Sequence, residues 1–326
     1  MSPMPLLSVQ DLKIRFKTPL GLIEAVNGAS FDVEKGELYG IVGESGSGKS
    51  VTALSILNIL PPNAEIIDGR ILFKDSDLLT LEDRQIRSIR GNTIAMVFQD
   101  ALASFDPVFS IANQIGEAVR IHRKMSSRQL DEHIVSLLMS VGIPEPKLRK
   151  DQYPHQFSGG MKQRAMSAMA LSNNPALIIA DEPTTSLDVT IQAQLMELFK
   201  DLKERLGVSI VLITHDMGLI AEVCDRVSVM YGGFILETAD VFSLFKNPRH
   251  PYTRGLIDSI PSLDKDTETL VSIPGKVPDP LELPTGCVFQ PRCTFAREIC
   301  SVDRPPFQSL ADGTKVACYR VQRGEI

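Results

Sequence analysis

Gly43-Glu44-Ser45-Gly46-Ser47-Gly48-Lys49-Ser50, followed by Val51, fits the pattern G-x-x-x-x-G-K-[ST]. Its flanks give it a defined place in the chain. Ahead of it, residues 38–42 form a compact apolar run that reads as a buried strand. Behind it, residues 51–60 read as a helix stopped by Pro61-Pro62. Strand, glycine-rich loop and helix is the order a phosphate-binding loop needs. The glycines let the backbone wrap closely around a polyphosphate and turn N–H groups inward. The helix running on from Lys49 adds the positive end of its dipole. Lys49 is expected to reach the β- and γ-phosphates, and Ser50 to ligate magnesium.

Working outward, Leu177-Ile178-Ile179-Ala180-Asp181-Glu182 sets two carboxylates at the end of an apolar strand. Asp181 is expected to hold the magnesium shell through water. Glu182 is expected to polarise the attacking water, a role that supplies about 10²–10⁴ in rate. Between loop and strand, Phe157-Ser158-Gly159-Gly160-Met161-Lys162-Gln163-Arg164 opens a helix that should end near Asn174-Pro175. A hydroxyl and bare N–H groups at a helix start make an anion site, although a plain N-cap uses the same residues.

The remaining pattern frames these motifs. Residues 6–16 and 24–33 read as antiparallel edge strands, and 111–139 as amphipathic helix. Residues 189–206 form a helix closed by Gly207 as C-cap. Residues 210–214 and 227–230 are further strands, and Gly232-Gly233 turns into a hairpin strand over 234–238. Strands alternating with helices predict an α/β domain, mostly parallel in its sheet with an antiparallel β edge. Beyond Phe245 prolines become frequent and regular elements must be short. The expected division is 1–248 for the nucleotide-binding domain and 249–326 for a small extension.

Bulk properties narrow the class of protein. The 326 residues carry 43% hydrophobic and 23% charged side chains, which is ordinary globular composition. A net charge of -6 disfavours nucleic acid as the main partner. No apolar run approaches the roughly 20 residues a spanning helix needs, and residues 1–10 lack the pattern of a secretory signal. The expected location is the cytosol, with any membrane role exercised through a partner.

Ser158-Gly159-Gly160, lying ahead of Asp181, resembles the signature motif of ATP-binding cassette (ABC) proteins. Gln99 in Val97-Phe98-Gln99-Asp100 resembles that family's glutamine loop, and Ser186-Leu187-Asp188 its D-loop. His215 resembles the switch histidine that contacts the γ-phosphate, and Phe16 the aromatic residue that stacks on adenine. Each has a plainer reading: Gln99 as a surface amide, His215 as a loop histidine, Phe16 as core. Their joint order over roughly residues 6–245 is what favours the family. The resemblance implies an ABC-type nucleotide-binding domain with a helical insert at about 107–157. It implies Lys49, Gln99, Glu182 and His215 as catalytic residues, with Ser50, Gln99 and Asp181 around magnesium. It also implies a head-to-tail pair, in which Ser158, Gly159, Gly160 and Asp188 serve the ATP held by a partner cassette.

Arg249-His250-Pro251-Tyr252-Thr253 and Ile273-Pro274-Gly275-Lys276-Val277-Pro278 resemble the tail of bacterial oligopeptide and dipeptide importer ATPases, a family that includes nickel and glutathione importers. Glu44 to Val51 and Asp181 to Thr190 are similar to the same subgroup. Ala101 and Phe105-Asp106 depart from the Pro and Leu-Asn of that pattern, and Met161 from its commoner Gln. The implied activity is hydrolysis of ATP to ADP and phosphate, coupled to peptide import. The implied partners are a second, different cassette chain, two permease subunits and, through them, an extracytoplasmic peptide-binding protein. The implied location is the cytoplasmic face of the inner membrane, held peripherally. The alternatives are a soluble ABC ATPase coupled to no permease, a regulator associated with ribosomes or nucleic acid, or an importer of the same family that takes nickel, glutathione or another solute.

Of five cysteines, Cys287, Cys293, Cys300 and Cys318 fall in the extension. They lack the tight C-x₂₋₄-C pair usual for zinc and the spacing of bacterial ferredoxins. Spacing alone leaves a metal site and unligated thiols both open. The resemblance to peptide-importer ATPases implies a [4Fe–4S] cluster on these four, stapling a proline-rich tail, with zinc or no metal as alternatives.

Overall fold

The computed structural model describes residues 4–99, 104–185, 187–260 and 272–326. Asp100, Ala101 and Ser186, named above, lie outside them. In chain order the strands are β1 (Leu7–Thr18), β2 (Gly21–Val33), β3 (Leu38–Val42), β4 (Ala64–Phe73), β5 (Ser76–Asp77), β6 (Ile94–Val97), β7 (Leu177–Asp181), β8 (Ser209–Thr214), β9 (Arg226–Tyr231), β10 (Phe234–Asp240), β11 (Gln308–Ser309) and β12 (Lys315–Val316). The chain forms two compact units. The first comprises Met1–Glu34, Leu38–Leu79 and Thr214–Ile326; the second comprises Lys35–Glu37 and Thr80–Ile213.

In the first unit, β2-β1-β4-β5 is an antiparallel sheet, with β1 and β2 joined in a hairpin that closes at Thr18 and Gly21. β3 is buried at all five positions and pairs in parallel with β9, Gly40 opposite Val227 and Val42 opposite Val229. A parallel strand covered on both faces needs a continuous apolar run, which is what the sequence supplies. β10 returns antiparallel to β9, and the extension adds β12 and β11 beside it. The helix after the loop, Lys49–Ile56, stops short of the proline pair. Asn58 adopts a left-handed φ of 49°; its N–H reaches the Ser55 carbonyl and that of Ile59 the Leu54 carbonyl. This is a Schellman ending with Asn in the position glycine usually fills.

In the second unit, β6, β7 and β8 run parallel, Ile94 opposite Leu177 and Ile178 opposite Ile210. The amphipathic stretch 111–139 is two helices, Ile111–His122 and Ser127–Ser140. The break follows from Ser126, whose side chain caps the second helix in a capping box with Gln129. Helix Gly159–Leu171 starts at Ser158. Helix Val189–Leu206 runs from the Asp188 cap to Gly207. Among the described residues, no helix is long and apolar enough to cross a membrane.

The [4Fe–4S] expectation is corrected. All four tail cysteines are described, yet no group of three or more His, Cys, Asp or Glu side chains among the described residues could hold a metal ion. The thiols serve as packing instead. Cys287 and Cys300 belong to an apolar cluster with Val288, Phe289 and Ala317, with Cys293 against it. Cys318 lies with Val316 and Val321. Burial pushes the Cys287 thiol up to about 12 and also raises those of Cys293 and Cys318. Thiols held protonated in this way act as small hydrophobes. The tail is fastened by aromatic and arginine contacts: Phe289 meets Tyr231 and Tyr252 at ring separations of 5.4 and 5.3 Å, and the Arg304 guanidinium lies 3.9 Å over the Phe234 ring.

Candidate functional site

The first unit supplies the loop. A Cβ on Gly43 would stand 2.0 Å from the Met230 carbonyl oxygen, and one on Gly48 2.4 Å from that of Ala25. Gly48 also has a left-handed φ of 98°. Backbone crowding thus demands glycine at both positions before any ligand is considered. The loop closes around its lysine. The buried Lys49 ammonium donates to the carbonyls of Gly43 (2.7 Å) and Glu44 (3.0 Å) and to Ser47 Oγ (3.4 Å). Ser47 is also tied to the next hairpin, its carbonyl accepting from the Gly233 N–H at 3.1 Å. Ser45 and Gly46 are exposed, while Ser50 and Val51 are half-buried in the first helical turn.

Phe16 is half-buried on β1, opposite Ile23 and Ala64. His215 is exposed just after β8. The next residue, Asp216, caps helix Met217–Val223 by accepting from the Gly218 N–H at 2.7 Å.

The loop also has partners that the sequence reading missed. Arg292 Nη1 donates to Glu44 Oε2 at 2.8 Å and to the Tyr231 hydroxyl at 3.2 Å. The Tyr252 hydroxyl accepts the Glu44 backbone N–H at 3.0 Å. Tyr252 lies in the Arg-His-Pro-Tyr-Thr motif, which had carried a resemblance but no physical task. No local signal ties Arg292 to a residue 248 positions earlier.

The second unit supplies the carboxylates. Asp181, at the end of β7, is 6% exposed. Glu182 follows on a left-handed backbone with φ 44°, its N–H bonded to the Ile213 carbonyl at 2.9 Å. Its Oε2 accepts from Gln99 Nε2 and from Thr185 Oγ1, both at 3.1 Å. Gln99 and Glu182 are therefore brought together, and an oriented carboxylate of this kind can accept a proton from water. Ser158 and Gly159 are exposed at their helix start, with Ser158 Oγ accepting from the Met161 N–H at 3.3 Å. Gly160 is buried, and a Cβ there would stand 2.7 Å from Ile191 Cγ2. Asp188 is exposed and caps the following helix through the Ile191 N–H at 3.0 Å. The set thus falls into two groups: the loop, Phe16 and His215 in one unit, the signature residues, Gln99, Asp181, Glu182 and Asp188 in the other.

Residues 26–185 match the ABC transporter family, and residues 236–300 match the oligopeptide/dipeptide transporter, C-terminal region. The dipeptide transport ATP-binding protein DppD of Bacillus subtilis is 49% identical over 321 residues, which is 98% of this chain and 96% of that protein. Among solved structures, the dimeric post-hydrolysis state of the ATP-binding cassette MJ0796, bound to ADP and phosphate, is similar with a TM-score of 0.65. It is 25% identical and covers 72% of this chain and 98% of that one. CbiO1 of Clostridium perfringens, part of the ABC transporter complex CbiONQ, has a TM-score of 0.64 and 26% identity, covering 75% and 92%. Fold and family together define an ATP-hydrolysing ABC cassette with a mixed sheet, a helical insert and a small C-terminal extension. More narrowly, the chain belongs to the peptide/oligopeptide importer family of ABC-transporter ATP-binding subunits.

Proposed function

We propose that this subunit powers uptake of di- or oligopeptides as one member of a cassette pair docked on two permease subunits, at the cytoplasmic face of the membrane. Residues 1–248 would form the cassette and 249–326 its extension. ATP would be held by the 43–51 segment, with Lys49 exchanging its loop carbonyls for β- and γ-phosphate oxygens. Phe16 would stack on the adenine. Ser50 and, through water, Asp181 would hold magnesium, with Gln99 sensing the ion. Glu182 would take the proton of the attacking water, and His215 would contact the γ-phosphate. Ser158, Gly159, Gly160 and Asp188 would serve the nucleotide on the partner cassette, a different chain. Each site would then be completed only in the pair.

The observation that carries this reading is the Glu182 carboxylate. It sits at the end of a buried strand on a strained backbone, oriented by the Gln99 amide and the Thr185 hydroxyl. Strain of this kind collects at functional positions because surrounding structure must hold it there. The name of the B. subtilis relative supports dipeptides as substrate, and the dimeric MJ0796 cassette supports pairing. Purification of the tagged subunit from detergent-solubilised membranes tests the assembly. The expected outcome is recovery of two hydrophobic permeases with a second cassette chain; recovery of ribosomes or DNA in their place would reject it.

A further inference from the structure

One arginine of the extension reaches back to the phosphate loop. Arg292 is 6% exposed at its side chain, and each of its three guanidinium nitrogens donates a hydrogen bond. Nε donates to the Pro274 carbonyl at 2.9 Å and Nη2 to that of Ile273 at 3.2 Å. Nη1 is left for Glu44 and Tyr231. Glu44 is held at three points: its carboxylate by Arg292, its N–H by Tyr252, and its carbonyl by the Lys49 ammonium. Tyr252 is itself fixed, fully buried and packed on Tyr231 at a ring separation of 4.6 Å.

Glu44 places a carboxylate in the loop read above as holding a polyanion. A carboxylate there repels a triphosphate unless its charge is met, and repulsion is strongest where solvent is scarce. Arg292, itself buried, meets that charge at 2.8 Å. The hydroxyl of Tyr252 takes up the Glu44 N–H, so this peptide keeps its orientation when Lys49 turns to a ligand. We propose that Arg292 and Tyr252 are positioning residues of the nucleotide site: Arg292 neutralises and holds Glu44, Tyr252 fixes its peptide, and the extension thereby sets the affinity of the loop for ATP. The inference rests on ATP binding by the 43–50 loop, as read above.

The test is titration of the purified full-length subunit with a fluorescent ATP analogue and magnesium, at low and high salt. Arg292→Met, which keeps an apolar stem but removes the charge, is expected to weaken binding about tenfold. That loss should shrink as salt screens the repulsion. Arg292→Met combined with Glu44→Gln is expected to regain most of the affinity, because the unmet carboxylate is gone. Tyr252→Phe, which leaves the ring packing intact, is expected to weaken binding about threefold. A merely structural fastening would leave the double variant no tighter than Arg292→Met and both with the salt dependence of wild type, which overturns the proposal. Affinities of Arg292→Met and Tyr252→Phe within about twofold of wild type also overturn it. Should Arg292→Met not fold, Glu44→Gln alone decides: with the Arg292 charge left unmet it must bind more tightly than wild type at low salt and lose that gain at high salt, and binding no tighter than wild type at low salt overturns the proposal. Lys49→Ala separates the two readings. If it binds the analogue as well as wild type does, the nucleotide reading of the loop fails and this inference with it; if only Lys49→Ala loses binding, the inference alone fails.

Discussion

Glu182 illustrates how a single residue carries both a cost and a task. A non-glycine residue in the left-handed region costs on the order of 1–3 kcal/mol, and here the neighbouring ladder absorbs it through the bond to the Ile213 carbonyl. Glu182→Gln keeps the shape and the hydrogen-bonding reach but cannot accept a proton. Steady-state ATPase measurements should find turnover reduced by about 10²–10⁴, with binding of the ATP analogue retained. Undiminished turnover would remove Glu182 from the role of base. At this scale the sequence was informative wherever chemistry is local: the G-x-x-x-x-G-K-S loop and the Asp-Glu pair each declare themselves within a few positions. It was silent on Gln99 as the donor to Glu182, because that contact joins residues 83 apart. It was equally silent on Arg292.

Elements were legible to the degree that capping residues are. Helix Val189–Leu206 ends where the Asp188 and Gly207 caps put its ends, whereas the 111–139 periodicity concealed a break that only the Ser126–Gln129 box marks. The late cysteines misled for the opposite reason. Their spacing leaves ligands and free thiols both open and the family resemblance implies a cluster, while burial of Cys287 and Cys300 among Val288, Phe289 and Ala317, and of Cys318 beside Val316, makes them packing. Iodoacetamide at pH 8 should therefore modify Cys287, Cys293 and Cys318 far more slowly in the native protein than in guanidinium chloride, since their folded thiols are held protonated.

The start of helix Pro251–Asp258 carries a pH-dependent element. His250 is fully buried; its Nδ1 accepts the Tyr252 N–H at 3.0 Å, and burial depresses its pKa from 6.5 to about 3. A depressed folded-state value means the neutral ring contributes stability in full above pH 6.5. That contribution is lost as pH falls from there toward 3, by a few kcal/mol at most. Thermal unfolding of wild type and His250→Asn between pH 4 and 8 is the check. Asparagine keeps a capping acceptor without a titrating ring, so the difference in stability between the two proteins should move in the variant's favour as pH drops. Parallel profiles would mean that His250 does not sense acid.

For the whole molecule, family and fold were readable from motif order alone, because each motif keeps its place relative to the strands even when its contacts are unknown. The proposed pairing of cassettes draws on where the exposed polar groups lie. Ser158, Gly159 and Asp188 are exposed, and the Ser158 and Asp188 side chains cap their own helices. A γ-phosphate reached by one subunit only would keep part of its charge in water, whereas a second helix start brings further N–H donors to it. ATP should therefore promote association, and hydrolysis should release it. Sedimentation velocity of Glu182→Gln, mixed with its partner cassette, should find a heavier species that forms with ATP and magnesium and dissociates when ATP is replaced by ADP. Adding Ser158→Arg to that variant places a bulky side chain where the partner's nucleotide is expected, so the heavier species should be lost while binding of the ATP analogue to this subunit's own loop stays near the Glu182→Gln value. If the association survives Ser158→Arg, the signature helix does not face the shared nucleotide.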